Sequence, residues 1–93
     1  MTTRVTSQTG AGTSDPIFPS GGNPFNVGFG AIVSGTATYT IQHTFNNTNW
    51  FDHEFIVDAT TNQDGNYAFP VAGIRINITV GTGTVTLTTL QAR

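Results

Sequence analysis

The residues able to do chemistry gather in one short run, Asn49-Trp50-Phe51-Asp52-His53-Glu54, with His43 one predicted strand upstream. A metal site here would recruit His43, His53 and either Asp52 or Glu54, because imidazole and carboxylate together suit zinc and similar ions. The spacing argues against it. His43 falls on the apolar face of its predicted strand, where a core or interface histidine with one hydrogen-bonded ring nitrogen is the plainer reading. If residues 53 and 54 are also extended, His53 and Glu54 point to opposite faces and do not converge. No metal or other cofactor is expected.

Catalysis meets the same difficulty. Asp52 beside His53 offers a base and an orienting group, and any serine or threonine a nucleophile, but a chain this rich in hydroxyls produces such combinations by chance. A carboxylate pair for glycoside cleavage can be drawn from Asp52, Glu54, Asp58 and Asp64 with equal arbitrariness. Gly28-Phe29-Gly30 lacks the third glycine and the following helix of a dinucleotide fingerprint, and neither a nucleophile elbow nor a phosphate loop occurs. The chain is not expected to be an enzyme. Trp50 and Phe51 beside Asn46, Asn47 and Asn49 have another use, since aromatic faces stack on sugars while amides bond their hydroxyls. The competing expectation, favoured here, is that the single tryptophan plugs one end of a small core.

The elements that must position these residues are strands. Over residues 36–45, Ala37, Tyr39, Ile41, His43 and Phe45 share one face and Thr36, Thr38, Thr40, Gln42 and Thr44 the other, the period-two pattern of a half-buried strand. Ile74, Ile76, Ile78 and Val80 alternate in the same way, and after Gly81-Thr82-Gly83 so do Val85 and Leu87, which predicts a C-terminal hairpin with a three-residue glycine loop. Leu90 falls out of phase, predicting a bulge or strand end near Thr88-Thr89. Weaker strands are expected over 27–33, 53–58 and 66–71, the last two joined by a turn at Asp64-Gly65, with Pro70 at an edge or bend. Threonine fills about one position in five and no window carries a helical stripe. The fold class is therefore all-β: a small antiparallel sandwich or barrel, jelly-roll-like, of six or so strands.

Residues 1–26 read differently. Asp15-Pro16, Phe18-Pro19, Gly21-Gly22 and Asn23-Pro24 forbid a regular helix or central strand, so this segment is expected to be an extended arm on a 27–93 sandwich domain. Ile17, Phe18 and Phe25 are then the anchors by which the arm docks on a neighbour, and with Trp50 and Phe51 they form the candidate interface. The competing expectation is an arm folded back over its own sandwich, covering an edge strand.

Composition narrows the partners. Charged residues make up 9% of the 93, far below the usual quarter or so, and the only cations are Arg4, Arg75 and Arg93. With a net charge of −2 and no basic cluster, nucleic acid is a poor partner. The absence of cysteine removes disulfides and thiolate chemistry. No run approaches the ~20 apolar residues of a membrane-spanning helix, and Met1–Val5 carries no signal-like apolar stretch. Asn46-Asn47-Thr48 and Asn77-Ile78-Thr79 fit the glycosylation pattern, read as accidental without such a signal. Neutral hydrogen-bonding side chains dehydrate at lower cost than ions, which suits a surface packed closely against neighbours.

Across Trp50-Phe51-Asp52-His53, Asp64-Gly65-Asn66-Tyr67-Ala68-Phe69-Pro70-Val71, Ile74-Arg75-Ile76-Asn77 and Gly83-Thr84-Val85-Thr86-Leu87, the chain resembles small β-rich capsid decoration (cement) proteins of tailed bacteriophages. The resemblance covers roughly residues 35–91. It implies a virion subunit on the outer capsid surface that binds the major capsid protein, bridges neighbouring shell subunits and forms a homo-oligomer, a trimer being favoured. It implies no catalytic residue. The alternatives are a tail or fibre module that binds host-surface carbohydrate through the Trp50 region, and a head–tail connector component.

Overall fold

The computed structural model describes residues 1–21 and 25–92; Gly22, Asn23, Pro24 and Arg93 fall outside them. Eight strands form two antiparallel four-stranded sheets packed face to face, and among the described residues no helix occurs. One sheet has the order β1-β8-β3-β6 and the other β2-β7-β4-β5. Here β1 is Thr2–Thr9, β2 Gly12–Thr13, β3 Val27–Ser34, β4 Ala37–Thr44, β5 Trp50–Asp52, β6 Gln63–Tyr67, β7 Gly73–Gly81 and β8 Thr84–Gln91. The alternating residues meet between the sheets. Val27, Phe29, Ala31, Val85 and Leu87 from one side pack against Tyr39, Ile41, Ile74, Ile76 and Ile78 from the other, all buried. Each large side chain among them contributes about 1.5–3 kcal/mol. Tyr39 is fully buried because its hydroxyl donates to the Thr61 carbonyl at 2.7 Å, and burial pushes its pKa up to about 12.

Several expectations change at this level. β7 and β8 lie in different sheets, so Gly81-Thr82-Gly83 is a corner between layers and not a hairpin loop. Ser34-Gly35-Thr36 makes the matching corner between β3 and β4, and the two corners interlock through a Gly83 N–H to Thr36 carbonyl bond of 2.8 Å. Gly81 sits at φ 108°, and a Cβ on Gly83 would come within 2.6 Å of the Ser34 carbonyl oxygen. Only glycine fits there. The bulge falls between β4 and β7, where Thr38 pairs with Val80 and Tyr39 with Ile78, leaving Thr79 as the extra residue. It turns Val80 outward, 64% exposed, off the face it was expected to share with Ile78. β8 runs unbroken through Thr88-Thr89, and Leu90 is exposed because Thr89 and Gln91 take the inward positions. Asp64-Gly65 lies inside β6, and residues 53–58 form no strand; the regular strand is the preceding Trp50–Asp52.

The division at residue 26 also fails. β1 pairs with β8 over its whole length, β2 pairs with β7, and Ile17 bridges Ile74 by backbone bonds of 2.8 and 2.9 Å. Ile17 and Phe25 are buried in the protein's own core and are not free to anchor a neighbour, while Phe18 is 54% exposed. The β1 sequence escaped the periodicity argument because its inward side chains are polar. Arg4 donates to the Ser20 hydroxyl at 2.9 Å and Thr6 to the Asp15 carbonyl at 2.9 Å, so hydrogen bonds replace apolar burial there.

Candidate functional site

β5 and β6 are the outer strands of the two sheets on the same side of the sandwich, and the chain between and beyond them lines a groove of about 430 Å³. His43, His53, Ile56 and Tyr67 are its buried members; Asp52, Glu54, Asp64, Asn66, Phe55 and Phe69 are among the exposed ones. His43 reaches it from the inner face of β4. Its Nδ1 lies 3.0 Å from the Tyr67 hydroxyl, and the two rings meet edge to face at 4.9 Å. His53 follows the last residue of β5, where its N–H donates to the Ile41 carbonyl at 2.8 Å and draws the chain inward. Its Nδ1 accepts the backbone N–H groups of Phe55 at 3.1 Å and Ile56 at 3.3 Å, which leaves the ring proton on Nε2. That turn throws Phe55 outward, 81% exposed. Phe29 packs against His53, edge to face at 5.5 Å.

Burial lowers the pKa of both imidazoles. For His43 the nearby His53 lowers it further and Asp52 opposes the shift; for His53 Glu54 and a backbone hydrogen bond with Asn66 oppose it. Burial raises the Tyr67 pKa well above the ordinary phenol value. Both histidines are therefore neutral near pH 7.

Toward solvent, His43 is ringed by Phe45, Phe51 and Phe69 at centroid distances of 5.4, 6.0 and 5.6 Å. These three phenylalanines are each about half exposed and touch one another, Phe45 with Phe51 at 5.8 Å and with Phe69 at 6.1 Å. They form one contiguous apolar patch at the mouth of the groove.

The tryptophan is not a core plug. Trp50 stands half-buried on the outer face of its sheet, with the Arg75 guanidinium carbon 4.1 Å above the ring centre. Arg75 Nε also donates to Gln42 at 2.9 Å, and Gln42 donates to Asp52 at 2.9 Å, so this carboxylate is tied to a surface chain of polar groups. Of the neighbouring amides, Asn46 is engaged locally. Asn46 Oδ1 accepts the N–H groups of Thr48 and Asn49, both at 2.9 Å, and so closes its own turn. Of the candidate interface residues, then, Phe51 joins the patch, Phe18 is exposed elsewhere, Trp50 lies under Arg75, and Ile17 and Phe25 are core.

The hydrogen bonds of the two imidazoles run to Tyr67 and to backbone, and to no serine or threonine among the described residues. Among those residues, too, no three His, Asp or Glu side chains converge as metal ligands. Phe45, Phe55, Tyr67 and Phe69 have no spacing in the sequence that marks them as one cluster. The available signal was seven phenylalanines in a chain this short, two of them flanking His53 at Phe51 and Phe55. In class the molecule is a small antiparallel β-sandwich with an aromatic, acid-rimmed groove at one edge. The chain matches no family model, no curated protein and no solved structure.

Proposed function

We propose that this chain is a structural virion protein that decorates a bacteriophage capsid from outside, bridging neighbouring subunits of the major capsid protein and acting as several copies of itself. The observation that carries the reading is the exposed Phe45–Phe51–Phe69 patch beside His43. A contiguous apolar patch rimmed by polar groups marks a contact surface, and a chain with only 9% charged residues sheds surface water at low cost. Weak contacts of this kind gain strength when repeated on a symmetric lattice. A second reading, a tail or fibre module for neutral glycans, is favoured by the groove itself, where Phe55 and Phe69 stand beside Asp64 and Asn66.

The test is a cryo-electron microscopy map of the assembled particle, together with binding of the purified protein to shells lacking it. Density on the outer shell, and binding abolished by Phe45→Ser/Phe51→Ser/Phe69→Ser, is the expected result. Density confined to the tail or neck, or unchanged binding of the variant, overturns it.

A further inference from the structure

The four outer strands of the sandwich are not equally protected against pairing with another chain. In one sheet they are β2 and β5, two and three residues long, which is too short to template a partner. In the other, β6 is five residues long, and it lines the groove together with residues 52–56. β1 differs from all three. It is eight residues long, contains no proline or lysine, has no register shift, and pairs with β8 on one side only.

Hydrogen-bond parity identifies its free groups. The Gly10 N–H donates to the Gly83 carbonyl at 3.0 Å, and the Thr89 hydroxyl lies 3.5 Å from the carbonyl of Arg4, its direct partner in the register. Alternation then turns the backbone groups of Thr2, Arg4, Thr6 and Gln8 toward β8 and those of Thr3, Val5, Ser7 and Thr9 outward. Those last four residues are also exposed on the sheet surface, and none is charged. The one cation of the strand, Arg4, is held inward by Ser20.

We propose that two copies of the chain pair edge to edge through β1, antiparallel, across a two-fold axis beside Thr6. In that register Thr3 meets Thr9 of the second copy and Val5 meets its Ser7; no other two-fold register pairs all four outward residues. The neutral row is self-complementary, which is what an isologous contact requires. A foreign strand would be selected by opposing charge or by a row of apolar side chains, and Val5 is the single apolar residue outward on β1. Phe18 adds apolar surface nearby, since its segment is held along this edge by the Thr6–Asp15 and Arg4–Ser20 bonds. A three-fold ring would need β1 to pair with β6, which offers five residues against the eight of β1. The joined sheets would run through eight strands, and the contact stands or falls independently of what the aromatic patch binds.

Sedimentation velocity and native mass spectrometry of the full chain test this. The wild-type protein should be a concentration-dependent dimer. Val5→Lys/Ser7→Lys places like charges opposite each other twice and should raise the dissociation constant about tenfold. Val5→Lys/Ser7→Glu restores opposite charges in the same register and should recover the dimer, which separates an interface effect from a folding defect. A wild-type monomer or trimer, a Lys/Lys variant that pairs as tightly as wild type, or a Lys/Glu variant no better than Lys/Lys overturns the proposal. Loss of shell binding by an intact dimer would instead count against the decoration reading alone.

Discussion

Replacing Tyr67 by phenylalanine removes one oxygen from the middle of the aromatic cluster and keeps the ring. The edge-to-face contacts with His43 at 4.9 Å and His53 at 5.3 Å have no steric reason to change. What is lost is the bond to His43 Nδ1 at 3.0 Å, and both side chains are buried. A typical intramolecular hydrogen bond contributes about 1 kcal/mol net, and a buried polar atom left without a partner costs about 1–3 kcal/mol. Tyr67→Phe should therefore destabilise the fold by about 2 kcal/mol, which for a domain this small lowers the melting temperature by roughly 8–16 °C. Urea titration followed by circular dichroism reads the loss as a shifted midpoint at unchanged slope. The double variant His43→Phe/Tyr67→Phe removes both polar partners, so its loss should fall short of the sum of the two single losses by about 1 kcal/mol or more. A Tyr67→Phe protein within about 0.5 kcal/mol of wild type, or strictly additive losses, would refute the claim that this bond organises the site.

Stability should also depend on pH in a direction set by the two imidazoles. Both are lowered by burial, so the unfolded chain takes up protons at higher pH than the folded one. Their contribution is complete above the unfolded histidine value of about 6.5 and is lost as pH falls through the folded values; urea midpoints that rise on acidification over that window would contradict it. Trp50→Ala should cost about 1–2 kcal/mol, the scale of a half-buried ring under a guanidinium, and not the roughly 3–5 kcal/mol of a core aromatic. Deleting residues 1–26 removes β1 from β8 and takes Ile17 and Phe25 out of the core, so the remainder should lose its cooperative thermal transition. A truncated chain that melts as sharply as the full one would show that the segment is dispensable.

Period-two alternation specifies the all-β class and most of the core. Ile41, Ile74, Ile76, Val85 and Leu87 alternate with hydrophilic residues, and period-two burial follows directly from strand geometry. It also placed His43 on the inward face, because that face is a local property of β4. Which sheet each strand joins depends on packing between segments distant in the chain. Gly81-Thr82-Gly83 is locally as compatible with a hairpin as with a corner, and the choice rests on its packing against Ser34-Gly35-Thr36, more than forty residues away in the chain. The role of residues 2–9 was hidden for a related reason. A strand whose inward side chains are satisfied by Ser20 and Asp15 has no hydrophobic period to read until those partners are in place. The groove was hidden too, since Tyr67 meets His43 and His53 only because two outer strands of different sheets come to the same side of the sandwich. Alternation specifies which way a side chain points; what it meets there depends on contacts distant in sequence, and these form only as the two sheets pack.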